Sequence, residues 1–271
     1  MQKYTIRFCL FLLLFSGDLS LMAQSHPGRF ITVEKQFGDS RIDGYNLYIP
    51  DLCTKRSKSF PVIVFLQGGL GVGDEVNKIF NWALPKELKE ADQSNPELYD
   101  LKLKRFVYVM PHISQGQFYE NTHALKRILE EVSETWNVDK RRIYLTGLSR
   151  GGHGSWGVAS RMPDVFAAVA PICGAAHGIE NYANLGSLPI WTSHNLADGV
   201  VDYQETKETV AKIENLTGKS FYHSQTIAET DYETHDRIFT SGTNESKSHD
   251  AWTEMYNDVR FYRWLLRFRK E

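Results

Sequence analysis

The stretch Arg142-Ile143-Tyr144-Leu145-Thr146-Gly147-Leu148-Ser149-Arg150-Gly151-Gly152 decides the fold. Ile143, Tyr144 and Leu145 are apolar and β-prone. Gly147-Leu148-Ser149-Arg150-Gly151 then reads G-x-S-x-G, and a helix-like run over 152–162 follows. Strand, sharp turn and helix in that order are what a nucleophile elbow requires. Glycines two residues before and two after the serine let the backbone turn without side-chain clash. The serine hydroxyl is then presented at a helix N-terminus, where developing negative charge is favoured. A pattern of five residues also arises by chance as an ordinary glycine-rich loop, so an acid, a histidine and an oxyanion loop must be found elsewhere in the chain.

Upstream of the elbow, Phe60-Pro61-Val62-Ile63-Val64-Phe65-Leu66 is a continuous apolar run of the kind buried on both faces of a parallel sheet. It ends in the glycine loop Gln67-Gly68-Gly69-Leu70-Gly71-Val72-Gly73. Residues 106–110 form a second buried-looking strand, closed by Pro111. Before these, residues 29–35 and 41–50 alternate around Gly38-Asp39-Ser40 and predict a hairpin. Helical signals run over 75–88, interrupted by Pro85, and over 120–136, where Leu125, Ile128, Leu129 and Val132 share a face. Downstream, strands are predicted at 165–173, 188–194 and 220–227, and helices at 204–213 and 251–268. From residue 60 onward strands alternate with helices. The expected fold class is α/β, with a mostly parallel central sheet, an N-terminal antiparallel hairpin and helices on both faces. The polar segment 229–249 reads as a surface insertion near the active face.

The chain has 271 residues, 42% hydrophobic and 24% charged, with a net charge of −2. That is ordinary for one large globular domain and gives no footprint for nucleic acid or an anionic membrane surface. Lys3 and Arg7 precede the apolar run 9–15, and small residues follow near Ala23-Gln24. This predicts a signal peptide over 1–24, export to a secreted or periplasmic location, and a single domain over 25–271 with no membrane span of its own. The run is broken by Ser16-Gly17-Asp18 and is short for a transmembrane anchor.

A serine hydroxyl becomes nucleophilic when a histidine takes its proton, and the histidine needs a carboxylate to fix its tautomer. In an open α/β sheet these groups belong in loops at the carboxyl ends of strands. Asp198 lies just beyond the strand at 188–194. Its competitor Asp202 looks like a helix cap, while Asp231 and Asp236 fall in the insertion. His249 directly precedes the last helix and completes the order serine, acid, histidine. His235, in the insertion, is the runner-up, and His153 and His194 lie too close to the elbow and the acid strand. An oxyanion hole needs two converging backbone N–H groups. Arg150, after the serine, supplies one, and the loop Gly68-Gly69-Leu70 the other. That loop lacks both phosphate-binding spacings, G-x-x-x-x-G-K and G-x-G-x-x-G. No H-E-x-x-H or Cys–His cluster suggests a metal, and no cofactor is implied. His112, Trp156, Trp82 and Trp252 are candidate pocket walls, although tryptophan is more often core than contact.

The chain resembles an α/β-hydrolase, and within that superfamily the secreted esterases related to dienelactone hydrolases, polyhydroxybutyrate-depolymerase-like esterases and feruloyl esterases. The resemblance rests on Phe65 to Gly69, Gly147 to Trp156, Pro171-Ile172-Cys173-Gly174, His194 through Asp198 to Val201, and His249-Asp250-Ala251-Trp252. It implies Ser149 as nucleophile, His249 as base, Asp198 as acid, and ester hydrolysis through an acyl-enzyme on a small-molecule or polysaccharide-linked ester. Where the family usually has His-Gly, this chain has Gln67-Gly68 and again His194-Asn195. The insertion before His249 is longer than the family leads one to expect and could shape the pocket as a lid. The implied strand order sets Cys53 and Cys173 far apart, so no disulfide is expected between them. The rival readings are a serine peptidase of the same fold, for whose usual extra domain the chain has no room, and a non-catalytic binding protein, against which the intact Ser149, Asp198 and His249 argue.

Overall fold

The structure, a computed structural model, describes residues 26–70, 72–90, 92–219, 222–224, 238–242 and 249–271. The predicted signal segment, His235, Asp231, Asp236 and most of the 229–248 insertion lie outside the described residues. Among the described residues nine strands form one sheet: β1 (Gly28–Glu34), β2 (Ile42–Pro50), β3 (Phe60–Leu66), β4 (Val107–Ile113), β5 (Val138–Leu148), β6 (Ala168–Ile172), β7 (Trp191–Asn195), β8 (Tyr222–Ser224) and β9 (Ile238–Gly242). Their spatial order is β1-β2-β4-β3-β5-β6-β7-β9-β8. β1 pairs antiparallel with β2 from Gly28 opposite Pro50 to Glu34 opposite Gly44, as the hairpin predicts. β2 is antiparallel to β4, and every other pairing is parallel.

The period of two in the strands sorts the core into two layers. Val62, Val64 and Leu66 of β3, with Ile143 and Leu145 of β5, face one layer. That layer holds helices α3 (Thr122–Thr135), α4 (Arg150–Arg161), α5 (Tyr182–Leu185) and α6 (Tyr203–Thr217). Ile63 and Phe65 with Tyr144 and Leu148 face the other. There lie α1 (Ala83–Glu90), α2 (Pro96–Lys104), α7 (Trp252–Tyr256) and α8 (Val259–Leu266). Strands buried on both sides explain why β3 and β4 read as unbroken apolar runs.

Several boundaries differ from the sequence reading for local reasons. Pro85 does not interrupt a helix. It sits in the first turn of α1, where its missing N–H is no loss, after a 3₁₀ turn over Val76–Asn81. The helix expected over 251–268 is two, because the Asp258 side chain accepts from Arg260 N and caps a new start. Helix α2 begins on Asn95-Pro96, an N-cap followed by proline. The polar segment before His249 is not wholly irregular, since β9 lies within it and pairs with both β7 and β8. Cys53 and Cys173 are both buried free thiols.

Candidate active site

The elbow is built by close approach of backbones. β3 and β5 run in parallel register, with Leu66 opposite Gly147. At Gly151 an added Cβ would lie 1.9 Å from the Leu66 carbonyl oxygen, and at Gly147 it would lie 2.5 Å from the Gly151 oxygen. Only glycine allows this contact between the first turn of α4 and the end of β3. The turn leaves Ser149 at φ 53°, ψ −118°, a region few residues other than glycine occupy. Its N–H donates to Ile172 O at 3.0 Å, which ties the elbow to β6. Arg150 opens α4, and its N–H is among those with no intrahelical acceptor.

Asp198 stands in the loop after β7, and His249 precedes α7. The His249 Nδ1–H donates to Asp198 Oδ2 at 2.6 Å. The other carboxylate oxygen, Oδ1, accepts from Val200 N at 2.8 Å and from Val201 N at 3.1 Å. Burial pushes the Asp198 carboxyl upward, but the hydrogen bonds from His249, Val200 and Val201 outweigh it and hold its pKa below the ordinary carboxylate value. His194 lies beside the same carboxylate, its Nε2 3.2 Å from Asp198 Oδ2 and 2.9 Å from Val201 O, both acceptors. The proton therefore belongs on Nε2, and Nδ1 faces the Thr206 hydroxyl at 2.8 Å. Burial keeps His194 neutral by lowering its pKa. It braces the acid loop from behind, which is a structural reason for the histidine that follows β7.

His249 Nε2 is buried and has no hydrogen-bond partner among the described residues. Both His249 and Ser149 line a cavity of about 170 Å³, together with Phe65, Gln67, Gly68, Gly69, Leu70, Ile79, Trp82, Ala83, Leu148 and Trp252. Trp82, Ala83 and Trp252 also line a neighbouring cleft of about 490 Å³, whose walls carry Glu87, Glu90, Asp92 and Asp250 together with Lys86 and Lys102. The structure thus brings Ser149, His249, Asp198 and the Gly68-Gly69-Leu70 loop together. Trp82 and Trp252 join them.

Two expected wall residues do not. Trp156 is fully buried in the α4 layer, where its Nε1–H donates to Gly174 O at 3.1 Å. His112 is equally buried on β4, with Nδ1 2.6 Å from Asp43 Oδ1. Neither lines the cavity beside Ser149. Phe65, Ile79, Ala83 and Leu148 line it without having been singled out from sequence, because their apolar runs reveal burial but not which void they border.

The ligand atoms of Cys173, Asp198 and His249 lie within 4.8 Å of one another, the spacing of a metal site. The donors do not suit one. Nδ1 and the carboxylate already satisfy each other, and burial pushes the Cys173 thiol pKa far up, against the thiolate a metal requires. Cys173 instead occupies a left-handed turn at φ 38°, its N–H donating to Ser193 O at 2.8 Å.

Sheet order and the strand–turn–helix around Ser149 are those of an α/β-hydrolase fold. Over residues 44–264 the chain matches the Esterase family model, and it belongs to that family. It is 26% identical over 133 residues to the bifunctional acetylxylan esterase/xylanase XynS20E of Neocallimastix patriciarum. That match takes in 47% of this chain and 19% of the relative, so the chain spans only about a fifth of that protein's length. Among solved structures, a thermostable esterase superposes with a TM-score of 0.69 at 20% identity, over 90% of this chain and 64% of that one. A feruloyl esterase module from Clostridium thermocellum in complex with sinapinate gives a TM-score of 0.64 at 14% identity, over 88% of each chain. Among the described residues no helix is long and apolar enough to cross a membrane.

Proposed function

We propose that the chain hydrolyses its esters through a Ser149–His249–Asp198 triad and a covalent acyl-enzyme. The observation that carries this reading is the 2.6 Å pair of His249 Nδ1 with an enclosed Asp198 carboxylate, while His249 and Ser149 border one cavity. Asp198 fixes the tautomer that leaves Nε2 as proton acceptor. Ser149 Oγ attacks the ester carbonyl carbon as His249 Nε2 takes its proton. The oxyanion rests on the N–H of Arg150 and that of Gly69 or Leu70. As the tetrahedral adduct collapses, His249 returns the proton to the alkoxy oxygen, and the alcohol leaves. Water then repeats the sequence on the acyl-enzyme and releases the acid.

The cavity is comparable in size to one that holds a benzene ring, which suits a short acyl or single aromatic group. The larger cleft beyond Trp82 and Trp252, lined by carboxylates, lysines and asparagines, suits a polyhydroxylated alcohol such as a sugar. The acetylxylan and feruloyl names of the relatives agree with a carbohydrate-linked or phenolic ester. The charged and apolar leader over 1–24 supports export of a single domain, 25–271, as a secreted or periplasmic enzyme.

Ser149→Ala is the test. Turnover of 4-nitrophenyl acetate is expected to fall by roughly three powers of ten or more, with the thermal midpoint retained. Wild-type activity in the variant would refute the assignment.

A further inference from the structure

Gln67 follows directly on β3 and is only 3% exposed. Its side-chain Nε2 and Oε1 are both buried, and neither has a hydrogen-bond partner among the described residues. It lines the cavity that Ser149 and His249 share. Apart from those two, the side chains around it there are apolar or aromatic: Phe65, Ile79, Leu148, Trp82, Ala83 and Trp252 among them. A buried carboxamide with neither atom satisfied is unfavourable, and native interiors avoid it. The backbone at Gln67 runs close against the elbow. An added Cβ on Gly151 would meet the Leu66 oxygen at 1.9 Å and the Gln67 oxygen at 2.8 Å, so the elbow is already in close contact with the chain at this point. The amide is therefore presented from a closely packed strand end into the cavity it shares with the residues proposed to carry the reaction.

We infer that Gln67 is a specificity-determining residue that recognises hydroxy esters, and this rests on Ser149 being the nucleophile. The carboxamide offers one donor arm and one acceptor arm close together. A plain alkyl ester has only acceptors and satisfies Nε2 alone. An ester with a hydroxyl a few bonds from the carboxyl group satisfies both: an ester oxygen accepts from Nε2–H, and the hydroxyl donates to Oε1. Because Gln67 and Ser149 line the same small cavity, that hydroxyl must lie close to the scissile bond. It can belong to the acyl part, as in a 2- or 3-hydroxyacyl ester, or to the alcohol part, as in a vicinal diol carrying one acyl group. Sites built to pair a buried polar group discriminate strongly against analogues that leave it unpaired.

Two pairs of esters matched in size test this and separate the two sources. Methyl glycolate against methyl propionate carries the hydroxyl on the acyl side, and 2-hydroxyethyl acetate against propyl acetate carries it on the alcohol side. Hydrolysis is followed by pH-stat titration, and each kcat/KM is divided by the rate of the same ester with hydroxide, which removes intrinsic reactivity. In the wild type at least one hydroxy ester is expected to exceed its partner by about tenfold or more. In Gln67→Met, of similar length but without the amide, that ratio is expected to fall towards one. A wild-type ratio near one in both pairs overturns the inference without any variant. So does a preference that survives Gln67→Met unchanged. Failure of the nucleophile assignment is separate and visible in the same assay, because propyl acetate hydrolysis would then persist in Ser149→Ala.

Discussion

Ser149 sits at φ 53° in the turn between β5 and α4, tied to β6 by its N–H on Ile172 O, and it lines the same cavity as His249. Around it, Asp198 and the histidine behind it are fixed by contacts other than the one to His249. Asp198 is fixed by the Val200 and Val201 amides, and His194 by Val201 O and the Thr206 hydroxyl. Asp198→Asn preserves the shape but can place an N–H donor opposite His249 Nδ1, which favours the wrong tautomer. Its kcat is expected to fall by about 10³ to 10⁴, measured on 4-nitrophenyl acetate. The same substitution has a pH signature in stability. The native carboxyl is depressed below its unfolded value of about 3.9. Its contribution is therefore present above about pH 4 and is lost as pH falls through the lower folded value. In denaturant titrations the gap between wild type and Asp198→Asn is expected to narrow below about pH 4. A gap constant across that window would contradict the hydrogen-bond assignment.

The elements differ in how plainly their sequences announce them. β3, β4 and the core of β5 are apolar on both faces, so they stand out, and the glycines of the elbow mark where α4 touches β3. That contact yields a sharp expectation. Gly151→Ala places a methyl where the Leu66 carbonyl already sits, 1.9 Å away, and no side chain is there to yield. Thermal melts are expected to show destabilisation of roughly 3 kcal/mol, with loss of esterase activity. Unchanged stability would mean that the elbow is not packed as described. Other elements were hidden. β9 has two apolar residues followed by Thr240-Ser241-Gly242, too little pattern to separate it from a loop, and only its place between β7 and β8 makes it a strand. α2 does carry a readable start in Asn95-Pro96. The proposed serine, acid and histidine could be picked out as candidates because each follows a strand end in the order such a triad requires. The pocket walls could not. Trp156 and Trp252 both lie on short stretches near the elbow or the histidine, and only tertiary packing turns one into the core and the other onto the cavity.

At the scale of the whole molecule, the sheet gathers the carboxyl ends of β3, β5, β7 and β9 at one edge, so loops distant in sequence meet there. The helices behind them are clamped together. Lys102 of α2, almost fully buried, pairs with Glu87 of α1 at 2.7 Å and donates to Asn257 Oδ1 at 2.9 Å, beside the end of α7. That contact anchors the helix that follows His249 against the layer under the cavity. The central claim is that one serine among all those in the chain is activated by this assembly. Treating the intact protein with a fluorophosphonate, then measuring its mass and mapping the modified peptide, addresses it directly. The account requires a single adduct per chain, on Ser149, with loss of esterase activity in step with labelling. No adduct, or an adduct on another residue, in a preparation that still hydrolyses 4-nitrophenyl acetate would contradict it.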